Sequence, residues 1–220
     1  MGTIKQGILG GFRGRVGNVI GSSWKGQDVM KIRPASVSNP NTERQQQQRA
    51  KFGLVGRFNR AHLNLIRIGF RAYTKNMTAG NAAMSYNLLN AVTGNFPDLS
   101  IDFSKVMISM GTLATVGDVS ASSEASASVT LNWITNLQAA NGSDSDQVIA
   151  SLYDKKSGEV VYFPGCASRQ EGTVDLDLPA NWSGRIAEVF VFLISLEGTG
   201  LSASRELVSN TVYAGSVEIM

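Results

Sequence analysis

Few residues in this chain are able to do chemistry, and their spacing argues against a shared site. His62 is the sole histidine and Cys166 the sole cysteine. A multi-histidine metal cluster and an intramolecular disulfide are therefore excluded, and a Cys–His pair requires two distant regions to fold together. On a helical wheel His62 falls among apolar neighbours, the place of a core histidine with one satisfied nitrogen. Cys166 reads as a small, partly buried thiol. Asp144, Asp146 and Asp154 suggest a calcium loop but lack its glycine and terminal glutamate, so they read as solvated turn acids. Asp175 and Asp177 alternate on one strand face, which suits a solvent face better than a buried acid pair. The glycine-rich stretch 7–26 has neither Gly-Lys-Ser/Thr nor Gly-x-Gly-x-x-Gly, and no helix pattern follows it. Its glycines suit positive φ or close approach by another chain. No catalytic residue, metal or cofactor is expected, and the chain is expected not to be an enzyme.

The charge distribution says more. Residues 1–76 carry fourteen Lys or Arg against Asp28 and Glu43, whereas residues 77–220 carry six against fifteen acids; the net +3 is the sum of two opposed halves. Such a split suits an anionic partner for one half, or contact between opposite halves of neighbouring copies. The first twenty residues are too interrupted for a secretory leader, and no run of about 18 apolar residues occurs. Synthesis in the cytoplasm without a membrane anchor is the expectation.

The elements that must position these charges fall into three regions, and the fold class expected is α+β. Residues 1–37 form a basic, Gly-rich β-hairpin arm, with strands around Val16–Trp24 and Val29–Arg33 and a turn at Lys25–Asp28. A lone hairpin is marginal in water and needs another sheet or subunit to complete it. Residues 38–95 form a helical region. Asn39-Pro40-Asn41-Thr42-Glu43 starts a first helix, Thr78-Ala79-Gly80 a second, and Gly94 stops it after Ala91-Val92-Thr93.

At about 100° per residue, Arg49, Arg57, Arg60, Arg67, Arg71 and Lys75 share an arc of roughly 80° on the run 44–75. Phe52, Leu54, Val55, Phe58, Leu63, Leu65, Ile66, Phe70 and Tyr73 spread over the opposite side. A largely buried helix with one cationic stripe is expected. Like charges at this spacing repel by a few tenths of a kcal/mol per pair, so an acid-free stripe is easier to understand with something anionic on it.

Residues 96–220 alternate in short runs: Lys105–Met110, Ala127–Ile134, Gln147–Tyr153, Val160–Phe163, Thr173–Leu178, Ile186–Leu196 and Ser204–Tyr213. Turn signals separate them, among them Lys156-Ser157-Gly158 and Gly198-Thr199-Gly200. Some seven strands of this kind predict an immunoglobulin-like antiparallel β-sandwich. Val129-Thr130-Leu131-Asn132-Trp133, with its Trp on an early strand, resembles the fibronectin type III pattern. The expected core is Trp133, Val148, Leu152, Val189, Val191 and Leu193.

The block Gly10–Gly26, then Asn39-Pro40-Asn41-Thr42-Glu43 with Gln46, Arg49 and Phe52, resembles a bacterial family of unknown function widespread in Bacteroidota. Asp146-Gln147-Val148, Trp182-Ser183-Gly184 and Ser209-Asn210-Thr211-Val212-Tyr213 fit the same family. The resemblance implies an ordered N-terminal motif and an association with bacteriophages and prophages, and it implies no activity.

These readings converge on a structural assembly protein: a homo-oligomer or part of a multi-protein assembly, such as a phage neck, ring, tail or decoration subunit in contact with other virion proteins. The expected partner-binding residues are Arg13, Arg15, Trp24 and Lys25 of the arm and Arg49, Arg57, Arg60, Arg67, Arg71 and Lys75 of the stripe. The alternatives are a nucleic-acid-binding module using the same basic half, and a carbohydrate- or cell-surface-binding sandwich with Trp182 or Tyr162 as a platform.

Overall fold

The computed structural model describes the whole chain except residues 1–2, 5–9, 25, 37, 76, 137–140 and 196–206. It divides into two compact units, Met1–Glu43 and Arg44–Met220. The expected boundary between a helical region and a sandwich near residue 95 does not separate compact units, because the helices pack directly on the sandwich.

The first unit is a four-stranded antiparallel meander, β1 (Thr3–Ile4), β2 (Phe12–Val16), β3 (Val19–Trp24) and β4 (Gln27–Ile32), paired in chain order. The expected hairpin is its β3–β4 half. The extra pairing comes from a two-residue turn at Gly17-Asn18, where Val16 lies opposite Val19 and Gly17 takes φ +57°. Only glycine adopts that φ without cost, and tight hairpins need it.

The second unit opens with α1 (Glu43–Ala61), α2 (Leu63–Gly69), a short 3-10 turn at Arg71–Tyr73 and α3 (Ala79–Asn90). The run 44–75 is thus two helices, broken at His62 (φ −92°, ψ 14°). The amides of His62 and Ile66 still bond to carbonyls four residues back, so the stripe carries across the break. Burial begins only at Val55, and Phe52 is 48% exposed. As expected, Thr78 caps α3, its hydroxyl accepting from the Asn81 amide at 3.1 Å. The helix stops at Asn90, earlier than Gly94 suggested: β-branched Val92 and Thr93 enter a small hairpin of β5 (Val92–Asn95) and β6 (Asp98–Ile101).

Seven strands follow: β7 (Gly117–Ser122), β8 (Ser128–Ile134), β9 (Gln147–Asp154), β10 (Val160–Ser168), β11 (Thr173–Asp177), β12 (Ile186–Ile194) and β13 (Val212–Glu218). They form two antiparallel sheets ordered β11-β8-β7 and β10-β9-β12-β13. Three strands face four in the order of a fibronectin type III sandwich, which confirms the expected fold class.

Three segments depart from expectation, the first being β7 (Gly117–Ser122), which none of the expected runs covers. Lys105–Met110 is not a strand, because its backbone is satisfied elsewhere. The Met107 amide and carbonyl bond to the Asn87 side chain, the Ile108 and Ser109 amides to the Thr211 hydroxyl, and the Met110 amide to the Gly69 carbonyl. A Cβ at Gly69 would collide with the backbone of Ile108 and Ser109; only glycine permits that approach. The last strand begins near where the Ser204–Tyr213 run ends, and Gly198-Thr199-Gly200 lies outside the described residues.

The four-stranded sheet is the middle layer. Val148, Ala150 and Leu152 of β9 and Ala187, Val189, Val191 and Leu193 of β12 point into the sandwich core with Leu131, Trp133, Leu176 and Trp182. The intervening Ile149, Tyr153, Phe190 and Phe192 point the other way, into a second core with Phe58, Leu65, Ile66, Phe70 and Ala83 of the helices. All six residues named as the expected core lie in the first cluster.

One end of the sandwich is pinned by a buried ion pair. Arg169 bonds through Nε and Nη2 to Asp146 at 3.0 and 2.8 Å and through Nη2 to the Ala114 carbonyl at 2.7 Å, while Trp133 donates to the Arg169 carbonyl at 2.9 Å. Contrary to expectation, Asp144, Asp146 and Asp154 are not all solvated turn acids. Asp146 is buried and Asp154, also buried, pairs with Arg185 at 3.2 Å; only Asp144 is exposed. Asp146→Asn leaves a buried guanidinium without its counter-charge and is expected to lower the urea-unfolding free energy by about 3–5 kcal/mol. Asp177→Asn on the exposed face is expected to stay within about 0.5 kcal/mol of wild type in the same measurement.

Candidate functional site

The first unit has almost no interior. Among its described residues Gly21 alone is buried, and every residue of β4 is exposed, Met30 by 71% and Ile32 by 76%. Val16, Trp24 and Val29 are exposed as well. Apolar side chains on an edge strand form a template for another chain. Arg13 and Arg15 are exposed beside them, and Arg15 Nε donates to the Gly17 carbonyl at 2.9 Å. Trp24 is likewise on this surface, whereas Lys25 lies outside the described residues.

The helical layer holds the second group. Arg49, Arg57 and Arg60 on α1, Arg67 on α2, Arg71 in the 3-10 turn and Lys75 beyond it are all exposed. The chain from residue 44 to residue 97 contains no acid. Asn64, on the same arc, donates to the Tyr162 hydroxyl of β10 at 3.4 Å. Between α1 and α3 lies an open groove of about 490 Å³ lined by Phe52, Met84, Leu88 and Leu89. The wheel missed this groove, because it depends on how two helices diverge.

The opposite surface of the second unit has the opposite sign. On β11, Asp175 and Asp177 point outward while Val174 and Leu176 point in, and Thr130 of β8 donates to Asp175 at 2.6 Å. Asp118 of β7 is exposed too. Neither Lys nor Arg occurs in β7, β8 or β11.

The candidate reactive residues are kept apart. His62 is 1% exposed, stacked on Phe58 at 4.2 Å between ring centroids, and edge-on to Phe190 at 5.9 Å. Its Nδ1 donates to the Phe58 carbonyl at 3.1 Å, and Nε2 has no hydrogen-bond partner among the described residues. Burial lowers its pKa to about 4, against the smaller upward pull of that hydrogen bond. Cys166 packs against the other core, its thiol donating to the Val148 carbonyl at 3.4 Å, and burial pushes its pKa up to about 11. A thiol held so far above neutrality carries little thiolate. The two residues belong to opposite faces of the middle sheet and form no pair. Trp182, a candidate platform, is 2% exposed inside the sandwich core, with the Arg185 guanidinium 5.5 Å from its ring; Tyr162 is 39% exposed.

Residues 11–215 match the profile of the family described as Family of unknown function (DUF6266). The chain belongs to that family. The match reaches into both compact units, from just before β2 into β13. No curated protein sequence matches the chain. Among solved structures, the fn3 domain of the human collagen alpha-1(XX) chain is similar at 20% identity and a TM-score of 0.32, covering 49% of this chain and 86% of that one. Among the described residues no helix is long and apolar enough to cross a membrane.

The buried His62 gives the DUF6266 domain a definite acid response. An unfolded histidine titrates near 6.5, whereas this one holds off protonation until about pH 4. Between those values the unfolded chain binds more protons than the folded one, so stability falls as pH falls. The loss is complete below both values and amounts to about 3 kcal/mol. His62→Phe is expected to flatten that slope between pH 6.5 and 4, read from urea-unfolding free energies across the window; an unchanged slope assigns it to other groups.

Proposed function

We propose that this DUF6266 protein is a non-enzymatic structural assembly protein, a bacteriophage virion component of the neck, ring, tail or decoration class, held in place by its basic N-terminal sheet. The observation that carries this reading is β4: six consecutive exposed residues at the edge of a sheet without a core, two of them large apolar side chains at least 70% exposed. Such a strand is completed by a strand of a neighbouring subunit, with main-chain hydrogen bonds giving affinity and side-chain pockets giving specificity. The bias of positive charge to one half and negative charge to the other supplies register and steering between subunits. The sandwich supplies a stiff, two-cored body on which to build a lattice or ring.

A second reading is supported by the helical layer, which holds no acid after Glu43: exposed arginines along α1 and α2 suit a phosphate backbone. The carbohydrate reading loses its Trp182 platform to burial and keeps only Tyr162.

The test is sedimentation of the full chain from micromolar to hundreds of micromolar, beside the double variant Met30→Lys/Ile32→Lys. Wild type is expected to associate as concentration rises and to give closed rings or tubes by electron microscopy. The variant is expected to need at least ten times the concentration, with an unchanged unfolding midpoint because both positions are exposed. A wild-type chain that stays monomeric throughout overturns the proposal.

A further inference from the structure

We propose that the arginine stripe of the helical layer docks on the acidic outer face of the three-stranded sheet of a second copy, so that copies stack head to tail. This rests on the assembly reading and names a surface separate from the β4 edge.

The second unit is built in three layers: helices, then β10-β9-β12-β13, then β11-β8-β7. Its two outer layers carry opposite signs. Arg57, Arg60 and Arg67 are exposed on the helical side, in a stretch with no acid from residue 44 to residue 97. Asp118, Asp175 and Asp177 are exposed on the far side, on strands with no Lys or Arg. Around them Ser120, Thr130 and Asn132 offer short polar side chains, with Ile134, 59% exposed, at the end of the same row on β8. Asp175 is already oriented by the Thr130 hydroxyl at 2.6 Å, so less side-chain freedom is lost on pairing.

Arg57 to Arg67 spans ten residues of nearly continuous helix, about 15 Å, while the acids lie on the two outer strands of the order β11-β8-β7, about 10 Å apart across the sheet, with Asp175 and Asp177 about 7 Å apart along β11. Single exposed ion pairs contribute about 0–1 kcal/mol, so the contact relies on several at once and weakens with salt.

The second copy is favoured over nucleic acid because the complementary surface is part of this same chain. A phosphate backbone accounts for the arginines and leaves the one-signed far face without a role. Positive and negative patches on opposite sides of one body cannot form a two-fold dimer through a shared patch; the contact is heterologous and closes into a ring or continues as a filament.

A charge exchange tests it. Triple variant Arg57→Glu/Arg60→Glu/Arg67→Glu and double variant Asp175→Lys/Asp177→Lys are each sedimented alone and mixed, at 50 and 500 mM NaCl, in the full chain. Each alone is expected to raise the concentration needed for association at least tenfold at 50 mM, the equimolar mixture is expected to recover most of the loss, and salt is expected to abolish the difference. Unfolding midpoints close to wild type show that folding is intact.

If wild type associates and neither variant alters it, or if the mixture recovers nothing, this docking is wrong while the β4-mediated assembly stands. If wild type never associates, both are wrong. Tight binding of a 30-nucleotide DNA strand that the arginine variant alone loses, with association unchanged in both variants, assigns the stripe to nucleic acid instead.

Discussion

The fold depends on burying both faces of one antiparallel sheet. In β9 and β12, alternate side chains serve two different cores, so the strands have no solvent face. That is uncommon for an antiparallel sheet, which ordinarily keeps one side wet. The cause is the helical layer. Phe58 meets Tyr153 edge-on at 5.1 Å and Phe190 at 5.8 Å, and the His62 ring fills the space beside them. Edge-to-face aromatic contacts of this kind add directional preference to area burial. With the helices removed, Phe190, Phe192, Ile149 and Tyr153 would form an exposed apolar face, so helices and sandwich are one folding unit rather than two domains.

Polar groups buried between these layers fix how the parts meet. Asn87 on α3 bonds to Asn59 on α1 and to both backbone groups of Met107. Thr211 and Ser209 hold Ile108 and Ser109 from the other side. Arg169 and Asp146 perform the same service at the sandwich end, where the guanidinium also satisfies the Ala114 carbonyl. Packing of apolar groups tolerates small slips, whereas an unmet buried hydrogen bond does not. These contacts select one register from several that hydrophobic burial alone would allow.

The surface follows a different logic, in which the sign of charge is assigned by layer. The helical layer holds no acid after Glu43 at its first residue, and the three strands furthest from it are free of bases. The buried or partly buried ion pairs Arg169–Asp146 and Arg185–Asp154 lie outside both layers. Like charge gathered on one side of a body costs a little folding stability and lends itself to association.

Much of this was legible in the sequence by itself. The opposed charge of the two halves, the strands from β8 to β12, the Thr78 cap and the six core residues around Trp133 all follow from residue type and period, which are local properties. Burial of His62 was legible from its apolar arc. What the tertiary structure alone decided are the long-range matters. Continuous apolar runs in β9 and β12 do not say which two layers cover them. Asp146 becomes buried because Arg169, 23 positions on, turns back to meet it; spacing near Asp146 carries no trace of that. Lys105–Met110 reads as a strand and is not one, because Asn87, Thr211 and Gly69 take its hydrogen bonds. Period reports which face of an element is apolar, and only folding decides what that face meets.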